Sequence, residues 1–168
     1  MPERKTIERA RRDKREGKAP STQAGEFVRE EIEHIREGKH GARSSAQAIA
    51  IGLSKARRAG VDLPPPKQGS VSEKTRRGAE LALEAGDKPA AKPSAKRSRA
   101  TLTALKHESG AAASEQALSR QAENAAEKRP AAERSAAARK AARTKGPAER
   151  SEAAQKAART RAGKASGR

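Results

Sequence analysis

The chain concentrates its large apolar side chains near the N-terminus. Of its 16 Leu, Ile, Val and Phe residues, ten lie within residues 1–63 of 168. In the whole chain these residue types make up about a tenth of all positions, well below the ~20% under which a highly charged chain is expected to be disordered. The 38 alanines favour helix but bury little area. A packed core is therefore expected only near the N-terminus.

Two helical patterns lie in this apolar part. The first, over residues 22–37, repeats its apolar residues at helical spacing and is expected to end at Gly38. The second is expected to begin after Ser44, because Ser44-x-x-Gln47 is a capping box, and to end at Gly60. Its expected inner stripe consists of Ala46, Ile49, Ala50 and Leu53. Because the connection is short, the helices are expected to form a hairpin.

Composition divides the chain into four segments. Residues 1–20 are expected to form a charged helix, and residues 21–66 the hairpin module, which ends in three prolines. Residues 67–128 are expected to be a low-complexity linker with weak helices, and residues 129–168 a basic, alanine-rich tail. We therefore predict a mainly α chain, with a small helical hairpin at about 22–63. The long basic extensions are predicted to be largely disordered or loosely helical.

The tail contains a repeat and half of the net charge. Residues 132–145 recur at 148–161 with eleven of fourteen positions identical. The whole chain carries a net charge of +18, and from residue 129 to the end there are 12 cations and 3 anions, a net +9. Such a segment neutralises phosphates and releases counterions without reading bases. Since Phe27 is the only aromatic residue, base stacking is not expected, and the duplex backbone or structured RNA is favoured over unpaired bases. Of the two nucleic acids, DNA is the expected partner.

The residues expected to contact phosphates are all cations. In the module they are Lys39, Arg43, Lys55, Arg57 and Arg58. In the tail they are Arg134, Arg139, Lys140, Arg143, Arg150, Lys156, Arg159 and Arg161. The serines and free N–H groups where the second helix starts are a further place for an anion. The plainer alternatives remain that this loop is a simple turn and that the tail only increases solubility.

No residues are predicted to be catalytic or to bind a cofactor. The chain has no cysteine, and a two-helix module has little room for a water-poor pocket. His34, Glu37 and His40 are spaced as candidate metal ligands, but His40 lies beyond the glycine that ends the helix. His107 is isolated in sequence. We therefore predict no metal site and no enzyme activity.

Two features of the module leave alternatives open. Four glutamates share one helix face, which is either solvated or docks cations of the same chain; they are Glu26, Glu30, Glu33 and Glu37. Ile51 projects away from the inner stripe of the second helix. It is either covered by the segment that follows the helix or exposed, or it contacts a second copy of the chain or a protein partner.

Residues 43–57 read Arg-Ser-Ser-Ala-Gln-Ala-Ile-Ala-Ile-Gly-Leu-Ser-Lys-Ala-Arg, preceded by Gly-Lys-His-Gly at 38–41. This run resembles a family of small basic bacterial and phage proteins of unknown function, over roughly residues 20–66. The resemblance implies a shared small module and no catalytic residues. Where the family often has lysine before the glutamine, this chain has Ala46. The tail is similar in composition to the Lys/Ala/Pro-rich tails of linker histones and bacterial histone-like proteins.

These observations favour a non-enzymatic protein that binds DNA largely without sequence preference, as histone-like or nucleoid-associated proteins do. No apolar run approaches the ~18 residues of a membrane helix, so a cytoplasmic (nucleoid) location without membrane contact is expected. Two alternatives stay open. One is a protein-interaction or adaptor module with an accessory basic tail, and the other is an RNA- or ribosome-associated factor.

Overall fold

The computed structural model describes residues 2–86, 94–144 and 146–166, and the regular elements of this part are all helices, with no strand. The elements are α1 (Arg4–Arg15), α2 (Pro20–Arg36), α3 (Ser45–Arg58), α4 (Glu73–Gly86), α5 (Ala95–Lys106), a 3₁₀ helix (Gly110–Ala113), α6 (Glu115–Glu127), α7 (Ala131–Thr144) and α8 (Pro147–Ser166). The prediction of a mainly α chain is confirmed. The chain forms two compact units, Met1–Gln121 and Ala122–Arg168. None of the helices in the described ranges is long and apolar enough to cross a membrane.

The predicted hairpin helices are present as α2 and α3, which pack against each other. After α2, Gly38 adopts the left-handed conformation with φ of +72°. At the start of α3, the Gln47 N–H donates to Ser44 Oγ at 3.2 Å, and Gln47 Oε1 accepts from the Arg43 N–H at 2.8 Å. After α3, Gly60 has φ of +84°, and the next residue folds back into the core. Local signals therefore set where α2 ends and where α3 begins and ends.

The predicted inner stripe of α3 is wrong. Its two alanines, Ala46 and Ala50, are exposed, and its two larger residues are only half-buried. The buried face instead carries small residues, Ser45, Ala48, Gly52 and Ala56. A Cβ atom added at Gly52 would lie 2.7 Å from Val28 Cα of α2. Because the two backbones approach this closely, the face with the least bulk is buried and the face with the most apolar area is not.

Helices α1 and α4 complete the core on either side of the hairpin. Helix α1 packs against α2, and α4 packs against α3. One apolar cluster joins α1, α2, α3 and the turn after α3, and its buried members are Ala10, Ala24, Phe27, Ala56 and Val61. Helix α4 contributes two buried alanines, Ala79 and Ala82. The hairpin is therefore closed within the chain, by the helix before it and the helix after it.

A segment from the expected linker docks on the loop between α2 and α3. The N–H of Gly41 donates to the Leu105 carbonyl at 2.9 Å, and the N–H of Ala42 donates to the Ser109 carbonyl at 3.1 Å. The hydroxyl of Ser45 donates to the Ala112 carbonyl at 2.6 Å. A second apolar cluster forms here, with buried members Ile32, Ile35, Ala42, Ala48, Ala112 and Ala113. This packing was not expected, because alanines and backbone hydrogen bonds supply it instead of large apolar residues.

The second unit contains α7 and α8. Their described side chains are exposed, apart from two half-buried alanines, Ala142 and Ala157. Pro130 immediately precedes α7 and Pro147 opens α8, where the missing N–H of proline is tolerated. The prediction of largely disordered extensions is not confirmed, since the described residues from 94 to 166 are mostly helical.

Candidate nucleic-acid interface and buried charge cluster

The cations of α7 and α8 form the most exposed charged surface in the described part of the tail. All eight tail residues expected to contact phosphates are exposed. At helical spacing they are spread around each helix and do not form one stripe. Glu133 and Glu149 lie in the first turns, where the helix dipole favours anions. The remaining surface toward the C-terminal end of each helix is therefore predominantly cationic.

Three of the five module cations lie at the surface. Two of them are far apart, and the third is already paired with carboxylates. Arg43 and Arg58 are exposed at opposite ends of α3, about 20 Å apart at 1.5 Å of rise per residue. Lys39 Nζ lies 2.9 Å from a Glu37 oxygen and 3.7 Å from a Glu3 oxygen. The contact with Glu37 raises the pKa of Lys39. These cations do not form a continuous phosphate-binding patch by themselves.

The other two module cations have structural partners. Arg57 is 6% exposed and donates from Nε to the Leu63 carbonyl at 3.0 Å and from a terminal nitrogen to the Pro64 carbonyl at 3.1 Å. Burial lowers the pKa of this guanidinium. Lys55 Nζ lies 2.5 Å from Glu31 Oε2. Both cations therefore hold the module together, and binding a phosphate would break these contacts.

The loop before α3 has little free capacity for an anion. The N–H groups of Gly41 and Ala42 donate to carbonyls of the docked segment. Ser44 Oγ accepts from the helix, and the buried Ser45 hydroxyl donates to another carbonyl. Both serines that were expected to hold an anion at this helix start thus have partners within the chain.

The glutamates of α2 are not a uniformly solvated face. Glu26 Oε2 lies 2.5 Å from Arg9 Nε of α1, which is the docking of the chain's own cations that the sequence left open. Glu33 and Glu37 are exposed. Glu30, however, is only 2% exposed, so the expectation of a solvated carboxylate is wrong at this position. The neighbouring Glu31, which the sequence did not single out, is fully buried.

Two histidines lie beside these buried carboxylates. His40 Nε2 is 3.4 Å from Glu31 Oε1, and His34 Nε2 is 3.1 Å from Glu3 Oε1. The imidazole ring centroids are 6.3 Å apart, with an interplanar angle of 82°. The hydrogen bond from His34 lowers the pKa of Glu3. The structure therefore gathers both histidines around Glu31, whereas the sequence suggested Glu37 as their companion.

The sequence patterns did not predict this cluster, although the spacing of two of its residues was visible. Glu31 and His34 are three residues apart on α2 and therefore share a face. The return of His40 to the same place depends on the turn at Gly38 and on the docked segment.

Ile51 is half-buried and belongs to neither apolar cluster, so a contact through it stays a prediction.

Two arrangements thus stand out in the described chain: exposed cationic helices in the tail and a buried cluster of carboxylates and histidines in the module. No known protein family, curated protein or solved structure matches the chain.

Proposed function

We propose that the protein binds nucleic acid through α7 and α8, largely without sequence preference. The supporting observation is the exposure of all eight tail cations on helices that have no apolar face to bury. Because these side chains are exposed, they can contact phosphates without disrupting any packing. The binding energy then comes mainly from counterion release, which does not depend on the base sequence.

Duplex DNA is the proposed partner, with a nucleoid-associated role in the cytoplasm. The single aromatic residue, Phe27, is 1% exposed in the module core and cannot stack on a base without unfolding. A backbone-directed, histone-like interaction needs no such platform. No enzymatic step is part of this proposal.

We propose that DNA also stabilises the tail helices. Arg139 and Arg143 are like charges four residues apart on α7, a spacing that destabilises a helix by a few tenths of a kcal/mol. On α8, Lys156 and Arg159 are a second pair of like charges, three residues apart. Phosphates neutralise these charges, so α7 and α8 are expected to be loosely helical in the free chain and firmly helical on DNA.

A salt titration of DNA affinity tests the proposal. Each neutralised phosphate contributes a slope of about −0.9 to a plot of log K against log salt, so eight contacts would give at most about −7. The tail variant replaces all eight tail cations with glutamine. We expect the full chain to show a slope steeper than about −4, and the tail variant to lose most of it. Random-sequence and defined-sequence duplexes should bind alike.

A matched control distinguishes an effect of where the cations lie from an effect of the net charge of the chain. It replaces eight other exposed cations with glutamine, and these are Arg4, Lys5, Arg11, Lys14, Arg15, Lys96, Arg97 and Arg99. The proposal expects this control to keep most of the slope, although it has the same net charge as the tail variant. Equal losses in both variants would refute a tail-specific site. Tighter binding to structured RNA than to DNA would reassign the partner.

A further inference from the structure

Three side chains with metal-binding chemistry converge in the first unit. Glu31 and His34 lie on one face of α2, and His40 follows the left-handed turn at Gly38. One carboxylate oxygen of Glu31 and one ring nitrogen of each histidine all lie within 4.8 Å of one another. Glu31 is buried and both histidines are half-buried. This convergence does not depend on the basic tail or on nucleic-acid binding.

The buried carboxylates lack enough positive charge. Glu30 and Glu31 contribute −2, and Lys55, the cation that contacts both of them, contributes +1, which leaves −1 on these side chains. Glu30 and Glu31 are 2% and 0% exposed, so water cannot screen them effectively. A buried charge without compensation is strongly destabilising. One divalent cation would supply the missing positive charge.

Glu31 has one oxygen that is aimed at the histidines and has no hydrogen bond. Its Oε2 is held by Lys55 Nζ at 2.5 Å. Its Oε1 is fully buried and accepts no hydrogen bond from the described chain. The nearest ionic neighbour of Oε1 is His40 Nε2, at 3.4 Å. The side chain is therefore anchored through one oxygen and presents the other as a ligand.

The hydrogen bond on the far side of His40 favours the metal-binding tautomer. His40 Nδ1 lies 3.0 Å from the Gly41 carbonyl oxygen, which can only accept, so Nδ1 carries the proton. In a neutral ring, Nε2 then presents a lone pair toward Glu31 Oε1. A carbonyl that fixes a ring in this way is the usual outer partner of a metal-bound histidine. A cation between Nε2 and Oε1 would relieve the repulsion between lone pair and carboxylate.

We propose that Glu31, His34 and His40 bind a divalent transition-metal ion of the zinc class. Bonds of 2.0–2.1 Å at tetrahedral angles place ligand atoms about 3.3 Å apart. The 3.4 Å between His40 Nε2 and Glu31 Oε1 already matches this spacing, and small rotations of the side chains bring in the third ligand. Nitrogen and carboxylate ligands suit Zn²⁺ or a similar ion better than Mg²⁺ or Ca²⁺.

The bound ion joins the α2–α3 loop to α2, and one of its ligands faces solvent. His40 also lines a surface pocket of about 580 Å³, together with Lys39, Gly41, Lys106 and Glu108. Three protein ligands leave a fourth position for water or for the carboxylate of Glu3, which lies beside His34. Because the metal binds the folded loop and not the unfolded chain, it stabilises the module.

Zn²⁺ binding to the untagged, nuclease-treated and metal-stripped full chain tests the proposal. Competition against a chromogenic chelator should give one Zn²⁺ per chain. His34→Gln and His40→Gln should each weaken binding at least about 100-fold, since loss of an outer partner alone costs 10–100-fold. The matched control is His107→Gln, at the exposed C-cap of α5 and outside the cluster, which should bind as the unaltered chain does. Zn²⁺ should raise the melting temperature of the control but not of the other two variants.

Co²⁺ in place of Zn²⁺ provides a readout that does not depend on any variant folding. The unaltered chain should develop intense visible absorption from a low-symmetry site at one equivalent of Co²⁺. The absence of this spectrum, or of stoichiometric Zn²⁺ binding, would overturn the proposal. Equal affinity in all three glutamine variants would also overturn it. Neither result would affect DNA binding by the tail, because the two sites share no residues.

Discussion

The close approach of α2 and α3 gives a sharp prediction for the substitution Gly52→Ala. The added Cβ would lie 2.7 Å from Val28 Cα and 3.0 Å from Val28 N and Cγ2. Two of these three atoms belong to the backbone, so a rotation of the Val28 side chain cannot relieve the contact. The two helices must therefore move apart.

The expected magnitude follows from two opposing effects. Overpacking a core costs about 1–3 kcal/mol, and contact with backbone places this site near the upper end. Alanine in place of glycine in a helix interior contributes about 1 kcal/mol of stability. Gly52→Ala is therefore expected to lower the free energy of unfolding of the module by about 2 kcal/mol.

Gly25→Ala is the matched control. Gly25 lies on an exposed position of α2, and a Cβ there would meet nothing within 4 Å. This variant should be more stable than the unaltered chain by about 0.5–1 kcal/mol, since only the helix propensity changes. The two variants should thus differ by about 3 kcal/mol although the chemical change is the same.

Urea unfolding followed by far-ultraviolet circular dichroism measures both free energies. The comparison is best made on residues 1–128 as well as on the full chain, because α7 and α8 contribute helical signal without belonging to the first unit. If Gly52→Ala stabilises the protein as much as Gly25→Ala does, the helices are not in close contact at Val28 and the reasoning is wrong.

Three further substitutions test other contacts of the module, the first two of them by the same unfolding measurement. Lys55→Met should lower the free energy of unfolding of the module by about 3–5 kcal/mol, because Glu31 loses its cation. A decrease below about 1 kcal/mol would argue against burial of this ion pair. Ser44→Ala should cost about 1 kcal/mol through loss of the α3 cap. Gly41→Ala would place a Cβ 1.9 Å from the Glu108 carbonyl oxygen, so the docked segment should separate from the loop. Hydrogen exchange of the backbone N–H groups around residue 41 should then accelerate. Unchanged protection of these N–H groups from exchange would contradict the docking.

Sequence patterns predicted the helices of the module because their signals are local. Ser44 and Gln47 act within one turn, and Gly38 and Gly60 end their helices through their own backbone conformation. The same patterns failed for the buried face of α3. Large apolar residues were taken to mark that face, but the distance between helices depends on both partners, and Gly52 is buried because α2 lies against it.

The two candidate sites differ in the same way. The exposed cations of the tail could be read from the sequence, because side chains on a helix with no apolar partner remain in solvent. The buried cluster could not, since His40 reaches Glu31 only after the chain has turned, and Lys55 reaches it across the hairpin. Lys55 and Arg57 look like surface cations in sequence, and only their partners show that they stabilise the module.

The amino-acid sequence by itself determined that the chain is helical, where α2 ends, where α3 begins and ends, and that the C-terminal part is cationic. These properties depend on neighbouring residues and on composition. Tertiary structure alone decided which face of α3 is buried, that the segment from Leu105 to Ala113 docks on the module, and which charges lie inside it. Alanine is compatible with both core and solvent, so in a chain this rich in alanine, contacts between distant segments determine which alanines are buried.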